Sequence, residues 1–312
     1  MAMDLSLLFQ PLDVKGRRLR NRIVMPPMVV NRGLTGPESL AWYGDRARGG
    51  VGLVIVEATN TTDFQGLLTA ENLSPLVDAI HAGGALAAIQ LFPGRRGQTT
   101  QPADLSLEDI GDLRAAYGHA TRVCRQAGFD GVEPHGAHGF LLNRFFSPEQ
   151  NRRDDAYGGG LDNRMRLAVE IVSEVRQALG DGLLFYRHTP VAPGYGIEES
   201  LILTSALVEA GVDILDLSPS SHQAPADRAA PFKVHGVPVI AVGGMGREER
   251  AVEALSSGRT DLVAVGRGLI ADAQWPIKLR NGEGDSIIRC AGCDCCFDDL
   301  RAGIPVGCAE WD

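Results

Sequence analysis

The sequence has few of the features that mark nucleic-acid-binding, membrane or secreted proteins. Its formal net charge of −9 argues against nucleic acid as the main partner. Its apolar runs, such as residues 237–242, have the length of a strand and are far too short to cross a membrane. The N-terminus lacks the apolar core of a signal peptide. We therefore expect a soluble, cytoplasmic protein, and a content of 44% hydrophobic residues is typical of a chain with a large core.

Cysteine is scarce along most of the chain and crowded at its end. Cys124 alone precedes residue 290, whereas the other five of the six cysteines lie in "CAGCDCCFDDLRAGIPVGC" (290–308). Cys124 falls in a predicted helix and is most simply a small buried hydrophobic residue. In a reducing compartment, thiols this close are more often metal ligands than disulfides. The segment is a candidate metal site, and its spacing alone leaves both zinc and iron–sulfur open.

Short β-type apolar runs alternate with helix-length amphipathic segments. The predicted strands are residues 22–25, 52–57, 85–91, 131–134, 183–187, 214–217, 237–242 and 262–265. The predicted helices lie near 37–49, 71–82, 106–127, 162–179, 198–210, 247–257 and 270–280. Eight strands in βαβ order favour a (β/α)8 TIM barrel over an open doubly wound sheet. We predict one barrel domain, residues 1–285, followed by a cysteine-rich segment packed on it, residues 286–312.

The C-terminal ends of barrel strands carry function in this fold, and here they are rich in polar and glycine residues. The last two predicted ends read "AVGGMG" (241–246) and "AVGRG" (264–268). Backbone N–H groups of such loops can approach a phosphate closely. Glycines also occur in βα loops for turn geometry alone, but their presence at two consecutive strands favours a phosphate site.

Five ordered blocks of the sequence resemble the old yellow enzyme family of FMN-dependent oxidoreductases. They are "NRIVMPPM" (21–28), "EATN" (57–60), "GFDGVEPHGAHGFLLNRFFSPEQNRRDDAYGGGLDNRMRL" (128–167), "GVDILDLS" (211–218) and the region from "VPVIAVGGM" to "DLVAVGRGLIAD" (237–272). The resemblance covers nearly the whole chain. It implies a TIM barrel with FMN lying over its mouth.

Carried over by position, the resemblance also assigns residues to the flavin. They are Pro26, Pro27, Met28 and Ala58 through backbone groups, Gln90 at the pyrimidine edge, Arg187 near N1 and O2, and Gly243, Gly244, Gly266 and Arg267 at the phosphate. A fixed positive charge at Arg187 would stabilise the anionic reduced flavin. Membership of a structural ion pair is the alternative role for this arginine.

The pair His135 and His138 in "PHGAHG" is the expected substrate-binding half of the site. In the family such a pair holds the carbonyl or nitro oxygen of an activated alkene, so that hydride from FMN adds to its β-carbon. The alternative is that one histidine caps a helix or satisfies backbone groups in the core.

Three departures from the family pattern bear on the reaction. Phe140 stands where a proton-donating Tyr is usual, which leaves the proton to water or another acid, or favours isomerisation or substrate oxidation. Val29 replaces a Thr or Cys that hydrogen-bonds the flavin. The loop 92–106 is short, so the mouth is either more open or completed by another subunit. A non-catalytic electron-transfer subunit is a further alternative.

The cysteine-rich segment resembles that of the iron–sulfur branch of the family, which includes dienoyl-CoA reductases and trimethylamine dehydrogenase. The resemblance implies a [4Fe–4S] cluster on Cys290, Cys293, Cys296 and Cys308, with Cys295 left over or exchanging with Cys296. Zinc remains the alternative metal.

The electron source is the last expectation from the sequence. The chain contains no GxGxxG fingerprint of a further nicotinamide-binding module. We therefore expect electrons to arrive from, or leave to, a separate protein through the [4Fe–4S] cluster, the partner being a ferredoxin or an FAD/NAD(P)H protein. NAD(P)H would act directly or through that partner, unless the chain is a truncated version of something longer. A homo-oligomer or a subunit of a complex is expected, whereas the substrate and the direction of reaction stay open.

Overall fold

The computed structural model of the protein describes residues 4–93, 100–220 and 226–311. Parts of the segments 92–106 and 219–236, whose sequences give no readable pattern, lie outside the described residues. The described chain begins with a one-turn 3-10 helix, Leu5–Phe9, and a hairpin of β1 (Leu12–Val14) and β2 (Arg17–Leu19). The sequence analysis did not predict this hairpin.

Eight parallel strands form a closed barrel, which confirms the predicted (β/α)8 fold. The strands are β3 (Ile23–Met25), β4 (Leu53–Asn60), β5 (Leu86–Phe92), β6 (Gly131–Gly136), β7 (Leu183–His188), β8 (Ile214–Leu217), β9 (Val239–Val242) and β10 (Leu262–Ala264). Each strand pairs with its neighbours in the sequence, and β10 closes the barrel on β3. All eight ends that were predicted to carry the site therefore open on one face.

Helices follow most strands and cover the outside of the barrel. They are α1 (Pro37–Arg48), α2 (Ala70–Ala82), α3 (Leu107–Ala127), α4 (Leu141–Phe146), α5 (Leu161–Leu179), α6 (Ile197–Glu209), α7 (Glu248–Ser256), α8 (Arg267–Ala271), α9 (Trp275–Arg280) and α10 (Cys295–Ala302). The capping box predicted at the start of α3 is present, with Ser106 and Asp109 bonding each other's backbone N–H.

The single helix predicted near 270–280 is wrong, because two short helices, α8 and α9, share that region. Asp272 ends α8 in an extended conformation, and Pro276 lies in the first turn of α9. A proline fits a first turn but not a helix interior.

The barrel interior is apolar in its lower part. Side chains that alternate along the strands point inward, among them Ile55, Phe185, Ile214 and Ile240, and all of these are fully buried. Leu19 of the hairpin packs against the same cluster. Within the described ranges, no helix is long and apolar enough to span a membrane. The apolar floor leaves the upper end of the barrel as the place for polar chemistry.

Candidate active site

A belt of polar side chains lies above the apolar floor, at the C-terminal ends of β5 to β8. Gln90, Glu133, Arg187 and Asp216 continue the inward alternation of their strands, and all are buried. The amide nitrogen of Gln90 donates to Glu133 Oε1 over 2.8 Å. The guanidinium of Arg187 lies 3.6 Å from Asp216 Oδ2. The belt therefore connects two residues that the resemblance assigns to the flavin, Gln90 and Arg187, with two carboxyl groups.

Burial dominates the electrostatics of this belt. It raises the pKa of Glu133 well above its usual range, and the neighbouring Asp216 adds to the effect while Arg187 opposes it. Burial also raises the pKa of Asp216, although the Arg187 guanidinium favours its charged form. Within the described ranges, no hydrogen-bond partner reaches Arg187 Nε or Glu133 Oε2. A buried guanidinium with an unused donor fits a ligand rich in acceptors, such as the pyrimidine edge of a flavin.

The two histidines follow the same belt and face each other. The ring centroids of His135 and His138 are 5.3 Å apart, and the rings meet edge to face. His138 has a left-handed backbone, with φ of 58°, a conformation uncommon for a residue other than glycine. Its Nε2 lies 2.8 Å from Ser218 Oγ, and this hydroxyl accepts from Arg187 Nη2 over 3.1 Å. The pair is therefore linked to Arg187 through Ser218.

Both histidines are neutral at physiological pH. Burial lowers the pKa of His135 well below its usual range, and His138 and Arg187 lower it further. Burial and Arg187 lower the pKa of His138 to about 3. The backbone N–H of Ala137 lies 3.4 Å from His135 Nδ1, which as acceptor leaves the proton on Nε2. Each ring therefore offers a single N–H and no fixed charge.

A cleft of about 1340 Å³ opens beside the histidines, above β4 to β6. Among the predicted site residues, Ala58 and His138 line it, and so do Val29 and Phe140, the two departures from the family pattern. The ring of Phe140 lies 4.5 Å from that of His135, which is almost fully buried. The wall next to His135 is thus apolar at the position where a hydroxyl was expected.

The glycine-rich loop after β9 has the open backbone that a phosphate cradle needs. Gly243 and Gly244 have φ of 116° and 71°, values that side chains rarely adopt. A Cβ atom on Gly244 would lie 2.6 Å from a guanidinium nitrogen of Arg250. Arg250 was not predicted as a site residue, and it places a positive charge beside this loop.

The glycine-rich loop after β10 packs against the first loop and against β3. A Cβ on Gly246 would lie 3.5 Å from Cα of Gly268, so the two loops are in contact. A Cβ on Gly266 would lie 3.4 Å from Met28 Sδ and 3.6 Å from Pro26 Cγ. The predicted phosphate and ring residues thus meet where the barrel closes, and the arrangement fits FMN.

The cysteine-rich segment is docked on the barrel beside this cradle. Arg267 Nη1 lies 3.0 Å from Asp294 Oδ1, just before α10. Val306 N donates to Val30 O over 3.0 Å, and the indole of Trp311 donates to Ala271 O over 2.7 Å. The predicted phosphate ligand Arg267 is therefore shared between the cradle and the segment.

The thiols of this segment have the right chemistry for a metal but do not converge in the structure. Cys290 and Cys293 are exposed, while Cys296 and Cys308 are half-buried. Burial raises the pKa of Cys308, and the nearby Cys290 and Cys293 raise it further. No group of three or more His, Cys, Asp or Glu side chains in the described chain is arranged to hold a metal ion.

Four residues of the candidate site were not predicted from the sequence in the roles that the structure suggests. They are Glu133, Asp216, Ser218 as a link between His138 and Arg187, and Arg250. The signal for the first two was present, because each is an acid on the inward side of a strand that is otherwise apolar. A charge at such a position requires a buried partner or a proton.

A closed barrel with a glycine-lined cradle, a buried arginine and neutral histidines defines a cofactor-dependent oxidoreductase barrel. The chain belongs to the NADH:flavin oxidoreductase / NADH oxidase family, whose sequence profile matches residues 7–285. This match confirms the resemblance to the FMN-dependent old yellow enzyme family. It also confirms that the chain is an FMN-dependent oxidoreductase.

Characterised relatives share about a third of the sequence. An NADH oxidase of Thermoanaerobacter brockii is 33% identical, over 88% of this chain and 51% of that protein. An NADPH dehydrogenase of Halalkalibacterium halodurans is 35% identical, over 86% of this chain and 92% of that protein. The chain thus spans about half of the first relative and nearly all of the second.

Two solved structures likewise differ in the share of their own length that matches this chain. Morphinone reductase in complex with tetrahydroNAD superposes with a TM-score of 0.75 at 25% identity, over 88% of this chain and 90% of that one. Histamine dehydrogenase from Rhizobium sp. 4-9 superposes with a TM-score of 0.85 at 25% identity, over 98% of this chain and 52% of that one. Both likenesses support the barrel.

Proposed function

We propose that this protein is an FMN-dependent oxidoreductase that takes electrons from NAD(P)H and reduces an activated C=C bond conjugated to a carbonyl group. One observation carries the proposal. Two neutral histidine rings face each other at the barrel mouth, His138 lines an open cleft, and Ser218 links His138 to the buried cation Arg187. A pair of neutral rings beside a cleft suits an oxygen on which negative charge develops.

The chain's residues have distinct tasks in this reaction. FMN, when bound, supplies the hydride. Arg187 and Gln90 hold its polar edge, and the loops at Gly243–Gly244 and Gly266–Arg267 hold its phosphate. His135 and His138 bind and polarise the substrate oxygen, which replaces Ser218 as the hydrogen-bond partner of His138. Phe140 has no proton to donate, so the α-carbon takes its proton from water in the cleft.

We further propose that Cys290, Cys293, Cys296 and Cys308 hold a [4Fe–4S] cluster that exchanges electrons with a redox partner protein. The support is the donor set, four free thiols within residues 290–308 of a segment that packs on the barrel. The superposition with histamine dehydrogenase covers 98% of this chain, whereas that with the shorter morphinone reductase covers 88%. Zinc is the alternative metal, and analysis for iron and sulfide separates the two.

A second reaction, oxidation of a C–N bond with electrons leaving the site, is favoured by one observation. The apolar wall at Phe140 lacks the acid that reduction of an alkene uses. Histamine dehydrogenase and 6-hydroxypseudooxynicotine amine oxidase from Pseudomonas geniculata both superpose over 98% of this chain. In this reaction the same histidines would orient an amine-bearing substrate.

Anaerobic titration of the FMN-loaded protein tests the proposal. NADPH should bleach the flavin, and a cyclic enone should restore its colour. Binding of a phenol should give a long-wavelength absorption band that His135→Ala and His138→Ala abolish. His81→Ala is the matched control, because His81 pairs with Asp130 at the opposite end of the barrel. If imines, the products of amine oxidation, reoxidise the reduced flavin and enones do not, the result would favour the second reaction. If no ligand changes the flavin spectrum, the result would favour an electron-transfer subunit.

A further inference from the structure

The upper interior of the barrel contains more buried negative groups than positive ones. Glu133 and Asp216 are fully buried, and the cation Arg187 lies 3.6 Å from Asp216 and lowers the pKa of Glu133 through its charge. One guanidinium balances one carboxylate. A second ionised carboxylate in this water-excluded space would be uncompensated, which proteins avoid by keeping the group protonated.

The hydrogen bonding of the two carboxyl groups points the same way. Gln90 donates to Glu133 Oε1, while no donor within the described ranges reaches Glu133 Oε2 or either oxygen of Asp216. The two carboxyl groups lie within hydrogen-bond reach of each other. A proton placed between them would give Asp216 a donor and occupy Glu133 Oε2. Without that proton, acceptors would face acceptors.

We propose that Glu133 and Asp216 share one proton at neutral pH and that, with Arg187, they form an electrically neutral unit that positions Gln90 and Arg187 beneath the flavin. The proton is held and not transferred to substrate, so both carboxyl groups are positioning residues. The link to the flavin rests on the proposed function, whereas the shared proton does not.

Among the described residues, the groups that face the unit carry no second charge that would release the proton. His135 and His138 face it from β6 and the loop that follows, and both are neutral because of burial. Gln90 faces it from β5 and is uncharged. Glu57, in the middle of β4, accepts from Val30 N over 2.5 Å and adds no positive charge. The raised pKa of both carboxyl groups agrees with this arrangement.

If the two carboxyl groups share one proton, the single and double variants should differ in how they bind FMN. Either Glu133→Gln or Asp216→Asn leaves one carboxyl group, which ionises and pairs with Arg187, so the net charge of the unit stays zero. The double variant leaves Arg187 unbalanced. Each single variant should therefore keep the ratio of the dissociation constants of oxidised and reduced FMN within about twofold, and the double variant should shift it at least about tenfold toward reduced FMN.

Infrared spectroscopy detects the proton directly. At about pH 7.5, above the pKa range of ordinary carboxyl groups, the protein should show the C=O band of a protonated carboxylic acid, with or without FMN. The band should disappear in both single variants. Asp213→Asn is the matched control, because Asp213 pairs with Arg176 and Lys15 at the other end of the barrel, and it should keep the band.

Two results would overturn the inference. One is absence of the carboxylic-acid band in the unaltered protein. The other is a tenfold shift, in Glu133→Gln alone, of the ratio of the dissociation constants of oxidised and reduced FMN, because that shift would mean that Glu133 is normally ionised. Failure of the protein to bind FMN would instead refute the proposed function. The infrared result on flavin-free protein would stand in that case, so the two failures are distinguishable.

Discussion

Replacing Arg187 by Met tests the charge balance of the barrel interior through stability, without reference to catalysis. The variant removes the cation that lies 3.6 Å from Asp216. Asp216 is fully buried and cannot remain ionised without a partner, so it should take up a proton on folding. At pH 7 the solution is about three pH units above the ordinary carboxyl pKa of 3.8. Protonating Asp216 on folding therefore lowers the free energy of unfolding by about 4 kcal/mol.

The same reasoning gives the sign of the pH dependence. In the variant the folded state binds one more proton than the unaltered protein does, and the unfolded state binds none of these protons above about pH 5. The variant should therefore regain stability as pH falls, by about 1.4 kcal/mol per unit relative to the unaltered protein. The difference in the free energy of unfolding between the unaltered protein and the variant should fall from about 4 kcal/mol at pH 7 to about 2 kcal/mol at pH 5.

Urea unfolding of flavin-free protein at several pH values measures this difference. Arg187→Met combined with Asp216→Asn is the control, since the amide removes the group that must be protonated. The double variant should follow the pH dependence of the unaltered protein. If the stability of Arg187→Met ran parallel to that of the unaltered protein from about pH 5 to 7, Asp216 would not be the group that Arg187 keeps ionised.

Three other outcomes test the cleft and the docked segment. Phe140→Tyr puts a hydroxyl beside His135, so steady-state reduction of an enone should accelerate at least about tenfold; an unchanged rate would mean that the proton comes from elsewhere. Trp311→Ala removes the indole bond to Ala271 and the contact with Trp42, so protease cleavage near residue 303 should increase while the melting temperature changes by about 3 °C or less; Trp311→Phe is the control. Because the pKa of His138 is about 3, enone affinity should be flat between about pH 5 and 8, and a transition near the ordinary histidine pKa of 6.5 would contradict the buried, neutral pair.

The sequence predicted the barrel well because its strands are short apolar runs that alternate with helical segments. Every predicted strand lies at its position in the structure, since burial on both faces favours continuous apolar residues. The break between α8 and α9 was missed although Pro276 signals it. The hairpin β1–β2 was missed because its strands, LDV and RRL, contain charged residues and are too short to show alternation. The boundary at residue 285 stays a prediction.

The site was only partly predictable, for a reason that lies in how a barrel uses its strands. Parity along a strand tells which side chains point inward, but their height in the barrel depends on the register between strands. Register places Gln90 beside Glu133, and Arg187 beside Asp216. A sequence pattern can therefore predict Arg187 as a site residue, but it cannot show that two acidic side chains lie near it. The contacts between neighbouring strands supply that fact, and from it follows the requirement that one of the two carboxyl groups holds a proton.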